Sequence, residues 1–183
     1  NRHQARNFRL KGDAFASKLG EFGTTLEGFF TFETDFATAR GFVRLVPSSN
    51  DELRAFTLLT AMEGLKDFPE HRGKHRDRTY MRTVARGSQN WFERRIAESK
   101  YVDRDPQVLI IGAGQAGLML AARLKMLNVD TLVVDKNSRV GDVWRKRYHS
   151  LTLHNEICTN HFPYLPFPDN WPVYIPKDKL ANW

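Results

Sequence analysis

The sequence predicts an α/β chain. A βαβ unit with a parallel sheet occupies residues 107–183, a partial α+β part with an antiparallel meander occupies 1–100, and 101–106 link the two. Three observations carry this reading. Gln107–Ile111 and Thr131–Val134 are short, β-branched apolar runs of the kind a parallel sheet buries on both faces. Between them lie a glycine-rich turn and the apolar stretch Leu118–Leu127, which reads as a buried helix. Upstream, two runs alternate with a period of two, as half-buried antiparallel strands do.

Composition sets the limits. The 183 residues are 41% hydrophobic and 27% charged, which excludes a collagen-like or disordered chain and leaves room for one domain or one plus part of another. Lys and Arg number 28 against 21 Asp and Glu, a net charge of +7 that admits a phosphate-bearing cofactor, a nucleic acid or a membrane surface without choosing among them. The single cysteine, Cys158, excludes an intramolecular disulfide, a Cys-x-x-Cys redox pair and a zinc site built on several thiolates. The longest apolar region, Val108–Leu127, is interrupted by glycines, Gln115, Arg123 and Lys125, so no membrane span is expected. The opening residues show no secretory signal, and a cytoplasmic setting is the default. The first residue is not Met, so the chain is expected to be a fragment or a processed product.

Residues 1–23 are polar, with a helical hint at Asp13–Lys18. In 24–34, Leu26, Gly28, Phe30 and Phe32 share one parity, and Thr25, Glu27, Thr31 and Glu33 the other. In 39–46, Gly41, Val43 and Leu45 oppose Arg40, Phe42 and Arg44, before a turn at 47–50. Leu53–Met62 can be read as a helix capped by Ser49 and Glu52 or as a third strand; its β-branched and aromatic content favours the strand. Residues 66–86 read as a loop, and 89–99 as a helix that Ser88 could cap, with Trp91 and Phe92 on its apolar side. His71–Lys100 holds nine Lys and Arg against three acids; a solvated face is the plain reading, a phosphate or nucleic-acid patch the alternative.

The chemistry gathers at Gly112-Ala113-Gly114-Gln115-Ala116-Gly117, which follows the first apolar strand and opens the helix. A glycine triplet alone is weak evidence. Strand, loop, helix, second strand and a terminal acid, Asp135, arriving in order within about 30 residues form the dinucleotide fingerprint of a Rossmann-like unit. Gly112 permits the tight turn, Gly114 lets a diphosphate approach the backbone, and Gly117 lets the helix pack on the sheet. The helix N-terminus offers free N–H groups to the phosphates, and Asp135 accepts ribose hydroxyls while repelling a 2′-phosphate. The fingerprint does not separate FAD from a nicotinamide cofactor. Five of the eight prolines fall in 162–177, a segment that can be neither helix nor central strand. It is expected to wrap a surface, with Trp144, Phe162, Tyr164, Phe167, Trp171 and Tyr174 as its contacts, and such a cover suits a flat heteroaromatic ring.

Taken together, Gly112–Gly117, Asp135, Gly141-x-x-Trp144, Leu151-x-Leu153-His154 and Leu165-Pro-Phe-Pro168 resemble the FAD-binding half of flavin-containing monooxygenases, notably plant YUCCA-like and fungal or bacterial members, over about 106–183. Residues 24–100 more faintly resemble the end of a nuclear-transport-factor-type cone domain. The resemblance implies an N-terminal part of a Rossmann-like FAD-binding domain. Gly112, Gly114, Gln115, Ala116 and Gly117 would surround the pyrophosphate, and Asp135 with Lys136 would lie at the adenosine ribose. Gly141, Asp142 and Trp144 would line the flavin side, with Leu153 and His154 near the isoalloxazine. Asp142 departs from the Gly-Gly that many relatives carry there. Lys177–Leu180 resembles the start of a helix around the cofactor.

The family would use NADPH as co-substrate and oxygenate a small organic molecule through a flavin hydroperoxide. The second glycine fingerprint, for NADPH, is not found in these residues, so the isolated chain is expected not to turn over, and catalytic residues stay unknown. No nucleic-acid partner is expected, and the oligomeric state is unknown. A flavin disulfide reductase is disfavoured because the redox cysteine pair is missing. A non-catalytic dinucleotide-binding or interaction module is the rival from another class. No metal is expected: His71 and His75 have helical ligand spacing but lie among cations, and His154 with Cys158 is more simply structural.

Overall fold

A computed structural model describes residues 4–48, 52–76 and 87–183, and divides the chain into two compact units, one up to Glu70 and one from His71 onward. The first unit is an antiparallel sheet. Its strands are β1 (Arg6–Leu10), β2 (Phe15–Lys18), β3 (Thr24–Glu33), β4 (Ala37–Pro47) and β5 (Leu53–Leu65). The order is β1-β3-β4-β5, with β2 also paired to β3. The meander expected from 24–62 is therefore present, with longer strands. β5 is a strand over the residues that could also have been a capped helix; Ser49 lies outside the described residues.

The helical hint at 13–18 is not realised. β1 runs beside residues 30–33 of β3 and β2 beside 24–27, so both satisfy the same open edge of β3. A six-residue helical preference is too weak to outweigh a strand edge whose N–H and C=O groups need partners. Phe8 stacks on Phe32 at 5.4 Å, and Phe15 approaches Phe29 at 6.4 Å, contacts that a helix would not make.

The register pairs Leu26 with Leu45, Gly28 with Val43, Phe30 with Gly41 and Phe32 with Ala39, so the apolar parities of β3 and β4 share one face. The deepest residues of β3 are nonetheless polar: Thr25 and Glu27 are buried, whereas Leu26 is exposed. Ser17, Thr25 and Arg44 all donate to the Glu27 carboxylate, Arg44 Nε at 2.8 Å, and these bonds hold its pKa below the usual carboxylate value. A buried carboxylate so satisfied need not face water.

The second unit contains α1 (Trp91–Glu98), β6 (Val108–Ile111), α2 (Gln115–Met126), β7 (Thr131–Val134), α3 (Asp142–Arg145) and α4 (Lys177–Asn182). Asn90, not Ser88, caps α1: its side chain accepts from Glu93 N–H at 2.9 Å while Glu93 accepts from Asn90 N–H at 2.8 Å. This reciprocal pair is a capping box that satisfies two helix-end donors. Of the basic run, Arg78, Arg82 and Arg86 lie outside the described residues.

β6 and β7 pair in parallel, Val108 with Thr131 through Ile111 with Val134, and α2 crosses between them. The expected βαβ unit is thus formed, and α2 starts three residues earlier than the apolar stretch indicated. The expected burial on both faces is not seen. Ile110 is buried, but Leu109 is 54% and Ile111 85% exposed, and α2 is only half-buried. Among the described residues the sheet has two strands, so a single helix can cover only part of it.

Residues 98–104 are tied to this unit. Tyr101 OH donates to Asp130 Oδ1 at 2.7 Å, and Arg104 Nε to Asp130 Oδ2 at 3.1 Å. Burial, followed by the bond to Asp130, raises the Tyr101 pKa above the ordinary tyrosine value; bonds from Tyr101 and Arg104 lower that of Asp130. A raised tyrosine pKa means stability that is complete below the unfolded value near 10 and is lost as pH rises through the folded one. We therefore expect the thermal midpoint to fall more steeply above pH 10 in the native chain than in Tyr101→Phe, measured by circular dichroism. Parallel slopes would contradict this.

The proline-rich stretch forms its own small core. Leu153 N–H donates to Ile175 O at 2.9 Å and Ile157 N–H to Val173 O at 2.8 Å, folding 151–157 against 173–177. Phe167, Ile175 and Leu180 are buried at its centre, with Trp144, Leu153, Ile157, Phe162 and Trp171 packed on them. The aromatics expected to wrap a surface thus pack largely on one another. Tyr174 is exposed, and Tyr164 lies beside Arg123, whose Nη1 donates to its hydroxyl at 3.2 Å. Among the described residues no helix is long and apolar enough to cross a membrane.

Candidate functional site

The site is built at the C-terminal ends of the two parallel strands, where α2 begins. β6 ends at Ile111, and Gly112 turns the chain with φ +110°, a conformation that a side chain strongly disfavours. Gly114 is the N-cap of α2, and the first helical bond runs from Leu118 N–H to Gly114 O at 3.0 Å. The N–H groups of Gln115, Ala116 and Gly117 precede that bond and have no acceptor within the helix. They sit at the positive end of its dipole. A Cβ on Gly114 would meet nothing within 4 Å, so the backbone there is open to a ligand.

Gly117 is different. A Cβ there would lie 2.0 Å from the Gly112 carbonyl oxygen and 3.2 Å from Ile110 Cγ2, so only glycine lets the helix rest on the turn and strand. Gly112 thus turns the chain and Gly117 packs the helix on the strand as their spacing leads one to expect, and Gly114 is left open.

Asp135 follows β7 and faces the loop. Its Oδ2 accepts the Ala113 N–H at 2.7 Å; its Oδ1 accepts the Asn137 N–H at 2.7 Å and Asn137 Nδ2 at 2.9 Å. The Asn137 backbone bond, then the Ala113 one, hold the carboxyl below its usual pKa. The Ala113 amide is thus taken by the acid. A carboxylate offers about four acceptor positions. Three are filled, and the remaining one, on Oδ2, can take one hydroxyl.

Lys136 is exposed beside it. Gly141 caps α3, on which Asp142 and Trp144 lie. Gly141 has φ +86°, and Asp142 is buried against Arg139 and Arg145, each at 3.3 Å. Burial pushes the Asp142 pKa up, but the two guanidinium groups outweigh it and the net direction is down. Trp144 and Leu153 pack on the Phe167 core, Arg147 lies 5.1 Å from the Trp144 ring centre, and His154 is exposed. The structure thus brings Gly112–Gly117 and Asp135 together directly, and groups Gly141, Asp142, Trp144 and Leu153 around α3 and the aromatic core.

A cavity of about 640 Å³, lined by Tyr101, Arg104, Lys125 and Asp130, lies at the opposite end of β7 from Asp135. Another, of about 520 Å³, lies on the first unit's sheet beside Phe29, Phe42 and Leu59. Neither is at the glycine loop. Among the described residues no group of three or more His, Cys, Asp or Glu is gathered as a metal site would require.

Sequence reasoning missed Asn137 and Arg145. A polar Asn two residues after a strand-ending acid is the signal for the first, since Asx residues bond locally in such turns. The i,i+3 spacing of Asp142 and Arg145 is the signal for the second.

Residues 110–162 match the family model of an NAD(P)-binding Rossmann-like domain. A CzcO-like oxidoreductase of Geobacillus kaustophilus is 40% identical over 76 residues, 42% of this chain and 22% of the relative. Indole-3-pyruvate monooxygenase YUCCA1 of Oryza sativa subsp. japonica is 37% identical over 79 residues, 43% of this chain and 20% of the relative. Over these residues the chain is similar to an oxidoreductase and to monooxygenases of this kind. Probable indole-3-pyruvate monooxygenase YUCCA4 of Arabidopsis thaliana is 36% identical over 79 residues, 43% of this chain and 19% of the relative. The chain spans about a fifth of the length of these curated relatives. The glycine loop and the strand-ending acid described above lie within the matched residues 110–162.

Proposed function

We propose that the second unit binds FAD and that the whole protein is an FAD-dependent, NADPH-using monooxygenase acting on a small organic substrate in the cytoplasm. The observation that carries this is the pairing of Gly117, packed so tightly that no Cβ fits, with an open Gly114 at the helix mouth and Asp135 poised beside the loop. Bound FAD would supply the redox chemistry and oxygen activation; the protein supplies position and protection from water.

On this reading the N–H groups of 115–117 and the helix dipole bind the diphosphate without a cation. Asp135 accepts an adenosine ribose hydroxyl at its remaining position, beside Lys136. Gly141, Asp142 and Trp144 stand on the flavin side, with Leu153 and His154 farther along the same wall. The aromatic core behind Trp144 keeps that wall rigid. The flavoprotein part then begins near residue 107, after the 101–106 link. The sheet of the first unit is that of a cone-like domain placed before it.

The test is direct. Adding FAD to the purified chain should quench flavin fluorescence with saturation, and Asp135→Asn should weaken binding by about tenfold, the loss of a hydrogen bond to a charged acceptor at about 1.5 kcal/mol. A chain that leaves flavin fluorescence unchanged at every concentration would overturn the reading and favour a module that holds no dinucleotide.

A further inference from the structure

The acid at the end of β7 does not stand alone. Lys146 Nζ, just beyond α3, donates to Asn137 Oδ1 at 2.6 Å. Asn137 gives both its backbone N–H and its side-chain Nδ2 to Asp135 Oδ1, and Asp135 Oδ2 takes the Ala113 amide. A continuous line of hydrogen bonds therefore joins the glycine loop to α3.

α3 is itself anchored. Arg145 Nη2 donates to Ala181 O and Asn182 Oδ1, both at 2.7 Å, and Nη1 to Val140 O at 2.7 Å. In return Lys177, buried on the first turn of α4, donates from Nζ to Arg145 O at 3.2 Å. Each short helix thus holds a backbone carbonyl of the other with a cation.

We propose that Asn137 is a positioning residue for nucleotide recognition, with Lys146 supporting it: by filling both acceptor positions of Asp135 Oδ1, it turns the carboxylate so that the last free position, on Oδ2, meets the adenosine ribose beside the phosphate loop. The inference rests on the reading that Asp135 receives that ribose. Its chemistry is a matter of orientation. A carboxylate can rotate about its Cβ–Cγ bond, and a free rotor presents its acceptors in many directions. Two bonds from Asn137 on one oxygen and one from Ala113 on the other fix a single direction, so the ordering cost is met before the ligand arrives. Lys146 is exposed, so its own part is the smaller one.

The experiment uses ADP and 2′-deoxy-ADP as probes, titrated calorimetrically into the full chain. The native protein should prefer ADP by about tenfold, the worth of one hydrogen bond to a charged acceptor. Asp135→Asn should bring that ratio close to one. Asn137→Ala should lower it to about twofold, Lys146→Met should lower it less, and Asn137→Ser, which keeps a donor hydroxyl, should restore part of it. Circular dichroism melts accompany each variant, because a merely structural role would lower the melting point and weaken both nucleotides equally. A native ratio that Asp135→Asn abolishes and Asn137→Ala leaves intact would overturn the role of Asn137 and keep that of Asp135. A native chain that binds both nucleotides alike would overturn the ribose reading, and this inference with it.

Discussion

Gly117→Ala is expected to destabilise the second unit by about 3 kcal/mol, the upper end of what overpacking costs. The added Cβ would stand 2.0 Å from the Gly112 carbonyl oxygen. That atom belongs to the main chain of the turn, and the turn is pinned by Gly112 N–H donating to Val134 O at 2.7 Å. No side chain can swing aside to relieve the contact. Either α2 lifts from β6 or the turn leaves the sheet, and each outcome uncovers Ile110, the buried residue of that strand. The matched control is Gly114→Ala, whose Cβ would meet nothing within 4 Å and whose φ is −77°. That variant should keep its stability within about 0.5 kcal/mol, as surface changes do, and lose FAD binding because the methyl occupies the ground of the diphosphate. All four tryptophans, Trp91, Trp144, Trp171 and Trp183, fall in the second unit, so urea unfolding followed by tryptophan fluorescence reports on it alone. With a slope of about 1.5 kcal/mol/M, the Gly117→Ala midpoint should drop by roughly 2 M. Equal midpoints for the two variants would refute the division of labour between these glycines.

The turn at Gly112 and the close packing at Gly117 are legible in the sequence, because the spacing of the glycines and the flanking β-branched runs follow from one mechanical need. The meander was legible for a similar reason: a period of two leaves one choice of face, and the apolar parities of β3 and β4 do pair. What escaped the sequence depended on partners distant along the chain. β1 and β2 are too polar to announce themselves, and they exist because β3 offers an edge. Thr25 and Glu27 read as outward-facing until Ser17 and Arg44, eight and seventeen residues from their partners, are seen to bond them. That Ala113 and Asn137 together claim most of the Asp135 acceptors depends on how the loop and the turn return to the acid. Local pattern records what a residue needs from its neighbours and carries little about where a remote segment will return.

Gly141 is the sharpest case of that limit, and it yields the second large expected effect. The family resemblance places it beside a flavin, but a sufficient physical reason for glycine lies within the chain. Its φ of +86° is left-handed, and a Cβ would sit 2.2 Å from the Ala181 carbonyl oxygen. That carbonyl also accepts from Arg145 Nη2, and the same guanidinium would stand 2.8 Å from the new Cβ, so relieving the clash disturbs that bond. Gly141→Ala should therefore combine left-handed strain of about 1–2 kcal/mol with overpacking of about 1–3 kcal/mol, a loss of roughly 3 kcal/mol. The damage should begin at α3 and α4, because the displaced carbonyl releases Arg145 and frees Trp144 from the Leu180 side of its core. The glycine loop, held through Val134 and Asp135, is farther along the chain of contacts. ADP affinity should then fall less than FAD affinity, since on the proposed reading only FAD would extend beyond the diphosphate to Gly141 and Trp144. Urea unfolding and paired titrations with the two ligands measure both effects. A variant with native midpoint and native FAD affinity would mean that α4 can move away from Gly141 without cost, and the two helices would not be the rigid wall that the proposed flavin site requires.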